Sequence, residues 1–235
     1  VCSSDLPMDT AAYMANARLI RESGGFTGWL AGCFRGTYPT VNQMPLYLLL
    51  LSGFSYETVH VLAWAKLVSL ALGAAGILCA YFVARRLFGR GAAILAAAAL
   101  AANSAWLNHS TTVACETLLA TLVTLTWYLL VRYLRGGRCG GRIGLCFGLA
   151  FMTKGTALLL APVLAGAALL KERLRAFRSK QVWLAVGLFA LVCLPLLVRN
   201  TVRFGSPFHS ISKGTETLWL DSWDEVWKPG SEAKP

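Results

Sequence analysis

Four long apolar stretches constrain the fold of this chain more than any other feature of its sequence. They cover about residues 58–83, 91–107, 113–131 and 182–198, and a fifth, interrupted stretch covers 143–170. The hydrocarbon core of a membrane needs roughly 20 apolar residues for each helical span. Because lipid offers no hydrogen-bond partners to backbone groups, segments of this composition cross it as helices. The sequence therefore predicts an all-α, polytopic transmembrane helical bundle.

The composition agrees with a membrane protein and excludes several soluble classes. Of 235 residues, 56% are apolar and 14% are charged, against about 25% charged residues in an average soluble domain. The seven cysteines are scattered and show neither metal-ligand spacing nor a disulfide framework. No phosphate-binding glycine loop is present, so we expect no metal site and no cofactor. Because the chain begins at Val1 without an initiator methionine, we interpret it as a fragment.

The basic residues predict how the bundle is oriented. The formal charge is +11, and twelve of the 22 basic residues fall in three short loops between the apolar stretches. They are Arg85, Arg86, Arg90, Arg132, Arg135, Arg138, Arg142, Lys171, Arg173, Arg175, Arg178 and Lys180. Such clusters mark cytoplasmic loops, so the partner that they indicate is the lipid bilayer and not nucleic acid. We expect an integral protein of a bacterial inner membrane with its active face outside the cytoplasm.

The interrupted stretch at 143–170 is predicted to be a hairpin of two short helices. Thr153, Lys154 and Gly155 break it near its centre. A single crossing would place the second and third basic clusters on opposite sides of the membrane, whereas a hairpin keeps both inside. Half-spans of this length are typical of re-entrant or cavity-lining structure. The hairpin tip, with Lys154, is therefore expected at the outer face.

This topology divides the chain into three parts. Residues 1–57 are predicted to form a first extracytoplasmic loop with interfacial helices, and residues 58–199 the transmembrane region. Residues 200–235 are predicted to begin a second extracytoplasmic segment, so the two long polar segments share one side of the membrane.

Local patterns predict the elements of the outer segments. Apolar residues at helical spacing predict an amphipathic helix from Met8 to Ile20. A loop containing glycine and aromatic residues is predicted at 26–41, followed by a second apolar helix at 46–54. Farther along, the pattern predicts one span over 91–107 and an outer turn at 108–115.

Several short segments resemble a known family when they are taken in order. They are Asp9 to Arg18 with its Tyr13, Pro45-Leu46-Tyr47, Arg85 to Arg90, Asn103 to Glu116, Gly148 to Gly155, and Leu194-Pro195 with Arg199-Asn200. This pattern resembles the polyprenol-phosphate-sugar-dependent glycosyltransferases of the GT-C fold, which include protein O-mannosyltransferases and lipid A aminoarabinose transferases. The resemblance implies inverting transfer of a sugar from a polyprenyl-phosphate-linked donor to an extracytoplasmic acceptor, which is a protein, lipid A or a glycan. The chain has Asp9-Thr10 where the family has Asp-Glu.

Five residues at the outer face are predicted to carry the chemistry. The resemblance implies that Asp9 is the catalytic base, that Glu116 supports it, and that Tyr13 lies beside the substrate. Lys154 and Arg199 are predicted to neutralise the lipid phosphate. The four charged residues each have a simpler alternative, which is helix capping for the two acids and snorkelling to the lipid headgroups for the two cations.

Two other classes of protein compete with the enzyme. A flippase for lipid-linked sugars, or another transporter, would place ionisable residues and broken helices near the middle of the membrane. A membrane scaffold would explain the basic loops but not the convergence of Asp9, Glu116 and Lys154 on one side. The gathering of these groups at one face favours the glycosyltransferase.

Overall fold

The fold is all-helical over the residues that the computed structural model describes, which are 8–38, 44–53 and 60–207, without the side chains of residues 8 and 9. Ten α-helices follow one another in this part of the chain. They are α1 (Met8–Glu22), α2 (Gly25–Arg35), α3 (Pro45–Leu51), α4 (Val61–Phe88), α5 (Arg90–Ala101), α6 (Ser104–Thr111), α7 (Glu116–Leu134), α8 (Gly140–Thr153), α9 (Ala161–Glu172) and α10 (Lys180–Phe204). Two 3₁₀ turns, Gly155–Leu160 and Arg173–Arg178, flank α9. No strand occurs in these ranges, so the all-α prediction is confirmed.

The long helices agree with the predicted spans. Within the described residues, α4, α7 and α10 are each long and apolar enough to cross a membrane. The pair formed by α5 and α6 passes the same test as one bent span, which would make a fourth. We call the membrane side where α4 and α7 end and α10 begins the basic face, because the three basic loops lie there. The side where α7 begins and α10 ends is the site face.

One predicted span is broken. The sequence pattern indicates a continuous helix over 91–107, but α5 ends at Ala101 and α6 leaves it at an angle of 62°. Asn103 explains the break, because its side-chain oxygen accepts a hydrogen bond from the backbone N–H of Trp106 at 2.9 Å and thereby starts a new helix. Since α6 continues to Thr111, the first half of the outer turn predicted at 108–115 is helical.

The hairpin predicted at 143–170 is present. Its tip residue Lys154 contacts Glu116, the first residue of α7. At the other end of α7, the Lys171 ammonium donates a hydrogen bond to the backbone oxygen of Tyr133. These two contacts are separated by most of the length of α7, about 26 Å at 1.5 Å per residue. Each arm of the hairpin therefore runs between the basic face and the site face.

A row of glycines brings α8 against α10. Gly140, Gly144 and Gly148 recur every four residues and so share one face of α8. A Cβ atom added at Gly140 or Gly144 would lie only 2.0 Å from a backbone oxygen of α10, that of Gln181 or Ala185. Small residues at this spacing allow helix backbones to approach closely in membranes. The α8 arm of the hairpin is thus held against the full-length span α10.

Replacing Gly144 should test this packing. We expect Gly144→Ala to lower the thermal unfolding temperature in detergent, because the new methyl group must push the α10 backbone away, and overpacking of this kind typically costs about 1–3 kcal/mol. Gly187→Ala is the matched control in α10, since a Cβ atom there meets nothing within 4 Å. A Gly144→Ala protein as stable as the control would contradict the close α8–α10 contact.

The three short helices before the first span pack on the site face. α1 and α3 match the two helices predicted there, but the predicted loop at 26–41 is wrong because α2 occupies most of it. The signal for α2 was the spacing of Phe26, Trp29, Leu30 and Cys33, which places them on one helical face. The buried face of α2 packs against α10, so the outer segment is folded onto the bundle.

Candidate active site at the start of α7

Glu116 and Lys154, which the sequence predicts to be site residues, meet at the site face. The Lys154 ammonium lies 2.9 Å from a carboxylate oxygen of Glu116. Glu116 opens α7, where the positive end of the helix dipole favours an acid. Lys154 follows α8 in an extended conformation, which turns the chain at the hairpin tip. The side chains of Glu116 and Lys154 are 31% and 43% exposed, so a bound substrate can reach both.

Tyr13 is held beside this pair. Its hydroxyl donates a hydrogen bond to the sulfur of Cys115, the residue before Glu116, at 3.0 Å. The Tyr13 ring also meets the Tyr47 ring edge-on, with 5.2 Å between centroids. α1 is therefore anchored directly over the start of α7.

Tyr47 forms the buried floor beneath Tyr13. It is fully buried, and its hydroxyl lies 2.6 Å from the hydroxyl oxygen of Ser69 in α4. Burial raises the pKa of Tyr47 to about 12, which keeps the phenol neutral at any physiological pH. Tyr47 thus fixes Tyr13 in place as a neutral, buried phenol.

The position of Asp9 follows from its helix, although its side chain lies outside the described residues. The backbone of Asp9 belongs to the first turn of α1. Residues four apart lie on the same helical face, so Asp9 and Tyr13 are neighbours along α1. Tyr13 contacts the residue before Glu116, so α1 meets the start of α7 one helical turn after Asp9.

Arg199 belongs to a second cluster. It is 3% exposed, and its Nε and Nη2 atoms donate to the side-chain oxygen of Asn200 at 3.0 and 2.7 Å. Its guanidinium carbon lies 6.0 Å from the centroid of the Tyr38 ring and 5.7 Å from that of Phe204. The neighbouring Arg203 donates to the backbone oxygen of Tyr38 at 2.8 Å. These contacts attach the segment after α2 to the end of α10.

The second cluster also contains buried polar groups. The indole N–H of Trp29 and the hydroxyl of Tyr38 are buried, and neither has a hydrogen-bond partner among the residues that the structure describes. Burial raises the pKa of the Cys33 thiol to about 12, although the positive charge of Arg199 opposes this shift. With Arg199 enclosed by these groups, its contact with a lipid phosphate stays a prediction, and its observed contacts are structural.

The contacts of three site residues could not be predicted from the sequence. Cys115 had looked like an ordinary apolar residue and Tyr47 had stood out only as part of the Pro45-Leu46-Tyr47 segment, and their roles depend on contacts between distant segments. His109 in α6 lies close enough to Glu116 to interact with it electrostatically. A single histidine in a predicted turn does not indicate, from sequence alone, that it lies near Glu116. The placement of Glu116 and Lys154 on one side, in contrast, followed from the basic loops.

Metal ligands do not gather at this site as the structure describes it. Over the described ranges, no group of three or more His, Cys, Asp or Glu side chains is placed to hold a metal ion. The two charged groups that meet are an ammonium and a carboxylate, and an ammonium lacks the lone pairs that a metal requires.

The fold defines an integral membrane protein in which Glu116 and Lys154 meet at one end of the helical bundle. The chain belongs to the dolichyl-phosphate-mannose-protein mannosyltransferase family, whose model matches residues 43–198. It is therefore a membrane glycosyltransferase of the class that uses a polyprenol-phosphate sugar as donor. No curated protein and no solved structure matches the chain. The matched range includes Glu116 and Lys154 and ends just before Arg199, and it does not include Asp9 or Tyr13.

Proposed function

We propose that this protein moves a hexosyl or pentosyl group from polyprenyl phosphate to an acceptor outside the cytoplasm, at the site formed by α1, α7 and the hairpin tip. The observation that carries the proposal is the half-exposed pair of Glu116 and Lys154 beneath Tyr13. The acceptor is a hydroxyl or amine of a protein, of lipid A or of another glycan. The donor is a substrate, so the reaction needs no resident cofactor.

The reaction is a substitution at the anomeric carbon of the sugar. A lone pair of the acceptor attacks this carbon from the side opposite the phosphate, and the carbon–oxygen bond to the phosphate breaks. The bonding electrons leave with the phosphate oxygen, which yields polyprenyl phosphate. The proton of the acceptor moves to a carboxylate. The reaction therefore requires one base for the acceptor and one cation for the leaving group.

The proposed roles follow from charge and position. Asp9 is the base, and Glu116 supports it by holding Lys154 in place. Lys154 stabilises the negative charge that develops on the leaving phosphate, since one ammonium can donate to a carboxylate and a phosphate at the same time. Tyr13 borders the substrate. Arg199 is the second cation proposed for the phosphate, and this role requires the cluster around it to open.

A lipid-linked sugar flippase is the alternative function. The broken helix at Lys154 is a feature that transporters share. However, Lys154 contacts the first residue of α7, at the end of a span and not near its middle. A site at one membrane face suits a transfer reaction that is completed on that side.

Sugar transfer can be measured directly with the full-length protein in proteoliposomes. The substrates are a radiolabelled polyprenyl-phosphate sugar and a mixed extract of envelope acceptors, and parallel samples contain a chelator. We expect label to leave the lipid and appear in an acceptor at the same rate with and without the chelator. Label that crosses the bilayer while still attached to its lipid would instead establish the flippase. Loss of transfer in the chelator would overturn the metal-independent reaction.

A further inference from the structure

A groove between α4 and α7 lies at the membrane face opposite the active site. Its volume is about 390 Å³, within the range of roughly 300–1,000 Å³ that is usual for small-molecule sites. Its apolar walls include Cys79 and Phe82 from α4 and Leu125 and Tyr128 from α7. The groove plays no part in the proposed sugar transfer.

Two arginines line the same end of this groove. Arg86 and Arg132 each stand two residues before the last residue of their helix, so both lie at the basic face. The guanidinium carbon of Arg132 is 5.9 Å from the centroid of the Tyr128 ring, which is itself part of the wall. Both arginines are exposed. The groove is thus apolar along its body and doubly positive at its mouth.

The groove is short enough to lie within one leaflet of a membrane. Cys79 and Arg86 are seven residues apart on α4, as are Leu125 and Arg132 on α7, which corresponds to about 10 Å along each helix. Half of a hydrocarbon core about 30 Å thick is roughly 15 Å. A groove of this depth ends inside the leaflet that borders the basic face, with its two cations at the level of the lipid headgroups.

No carboxylate is available to neutralise these arginines from their own helices. Between residues 61 and 134 the one acidic residue is Glu116, at the opposite end of α7. On the far side of α7, Glu172 accepts a hydrogen bond from the hydroxyl of Tyr133. Among the described residues, Arg86 forms no hydrogen bond or ion pair. Within the described ranges, no carboxylate occupies the mouth of the groove, so both arginines are accessible to an anionic ligand.

We propose that this groove binds an anionic phospholipid, with its phosphate between Arg86 and Arg132 and one acyl chain along the apolar walls. Guanidinium groups bind phosphate oxygens through two parallel hydrogen bonds, which makes paired arginines a suitable headgroup site. Clusters of basic residues beside a span also attract anionic lipids in general. The groove adds to this general attraction a defined position for one lipid molecule.

Lipid retention by the full-length protein tests the proposal. The protein is purified in detergent, mixed with equal amounts of phosphatidylglycerol and phosphatidylcholine of identical chains, and analysed by native mass spectrometry. We expect one phosphatidylglycerol to be retained at least fivefold over phosphatidylcholine. Arg86→Gln/Arg132→Gln should abolish this preference. Arg85→Gln/Arg138→Gln is the matched control, because it removes the same charge from exposed residues outside the groove and should keep the preference.

A second variant tests the acyl-chain part of the site. Cys79→Phe leaves both arginines in place but fills the deep end of the groove, so retained phosphatidylglycerol should fall severalfold. Equal loss in the two double variants would show that loop charge alone attracts the lipid and would overturn the proposal. Retention unchanged by Arg86→Gln/Arg132→Gln would also overturn it, as expected if another part of the full-length protein covers the groove. Unchanged retention in Cys79→Phe would remove the acyl chain from the groove.

Discussion

Asp9→Asn should reduce sugar transfer at least about 100-fold, since general-base catalysis typically contributes 10²–10⁴-fold to a rate. The amide has nearly the same size as the carboxylate but cannot accept the proton of the acceptor. Tyr13, one turn farther along α1, holds the helix to Cys115 at the start of α7, so the substitution should remove the proposed base while the site stays assembled. The measurement is the rate at which label moves from polyprenyl phosphate to acceptor in proteoliposomes.

Glu22→Gln is the matched control for this prediction. Glu22 lies at the other end of α1, exposed and paired with Arg18 at 2.6 Å, and it should tolerate the same chemical change with an unaltered rate. If both variants insert into the membrane equally well, any difference between their transfer rates arises from the chemical step. Full activity of Asp9→Asn would return Asp9 to the role of a helix cap and transfer the base function to Glu116.

Charge placement made much of the topology predictable. Positive residues in loops must stay on one side during insertion, and this rule alone required the hairpin and put Lys154 and Glu116 at the same face. The length of the apolar stretches then predicted the spans, because the thickness of the membrane sets it. The resemblance to polyprenol-phosphate-sugar glycosyltransferases agreed with the family to which the chain belongs.

The details that the sequence did not reveal depend on local competition and long-range contacts. Asn103 interrupts an apolar stretch, and a single polar residue changes a hydropathy pattern too little to predict a bend of 62°. α2 contains three glycines, which favoured the prediction of a loop, although its apolar face packs against α10. Arg199 looked like an interfacial cation, but burial against Tyr38 depends on a segment more than 150 residues earlier in the chain.

Lys154 and Arg199 differ in how easily a substrate can reach them. The Glu116–Lys154 pair is open to solvent, whereas Arg199 is enclosed by aromatic rings and Asn200. A substrate can therefore compete for Lys154 without rearranging the protein. Engaging Arg199 would require movement of the chain around Tyr38. Of the two proposed phosphate ligands, Lys154 is the one that the folded protein already presents.

Lys154→Gln should lower the turnover rate about 100-fold or more, because removing one group that stabilises a developing negative charge typically costs 10²–10³ in turnover. Glu116→Gln should have a smaller effect, since it leaves the ammonium in place but no longer orients it. Stability should change little in either variant, as half-exposed ion pairs usually contribute about 0–1 kcal/mol. Turnover and thermal unfolding are measured on the same preparations. Lys66→Gln, which removes an exposed lysine of α4, is the control for lost charge.

The double variant Lys154→Gln/Glu116→Gln separates a catalytic pair from a structural one. If the pair only holds the hairpin tip against α7, removing both charges leaves neither one unpaired, and the double variant should recover activity relative to Lys154→Gln. If Lys154 stabilises the leaving phosphate, the double variant must stay as slow as Lys154→Gln, because no remaining group supplies the cation. We expect the second result. Recovery of turnover would show that the contact between the two side chains is architectural and that the phosphate is stabilised elsewhere.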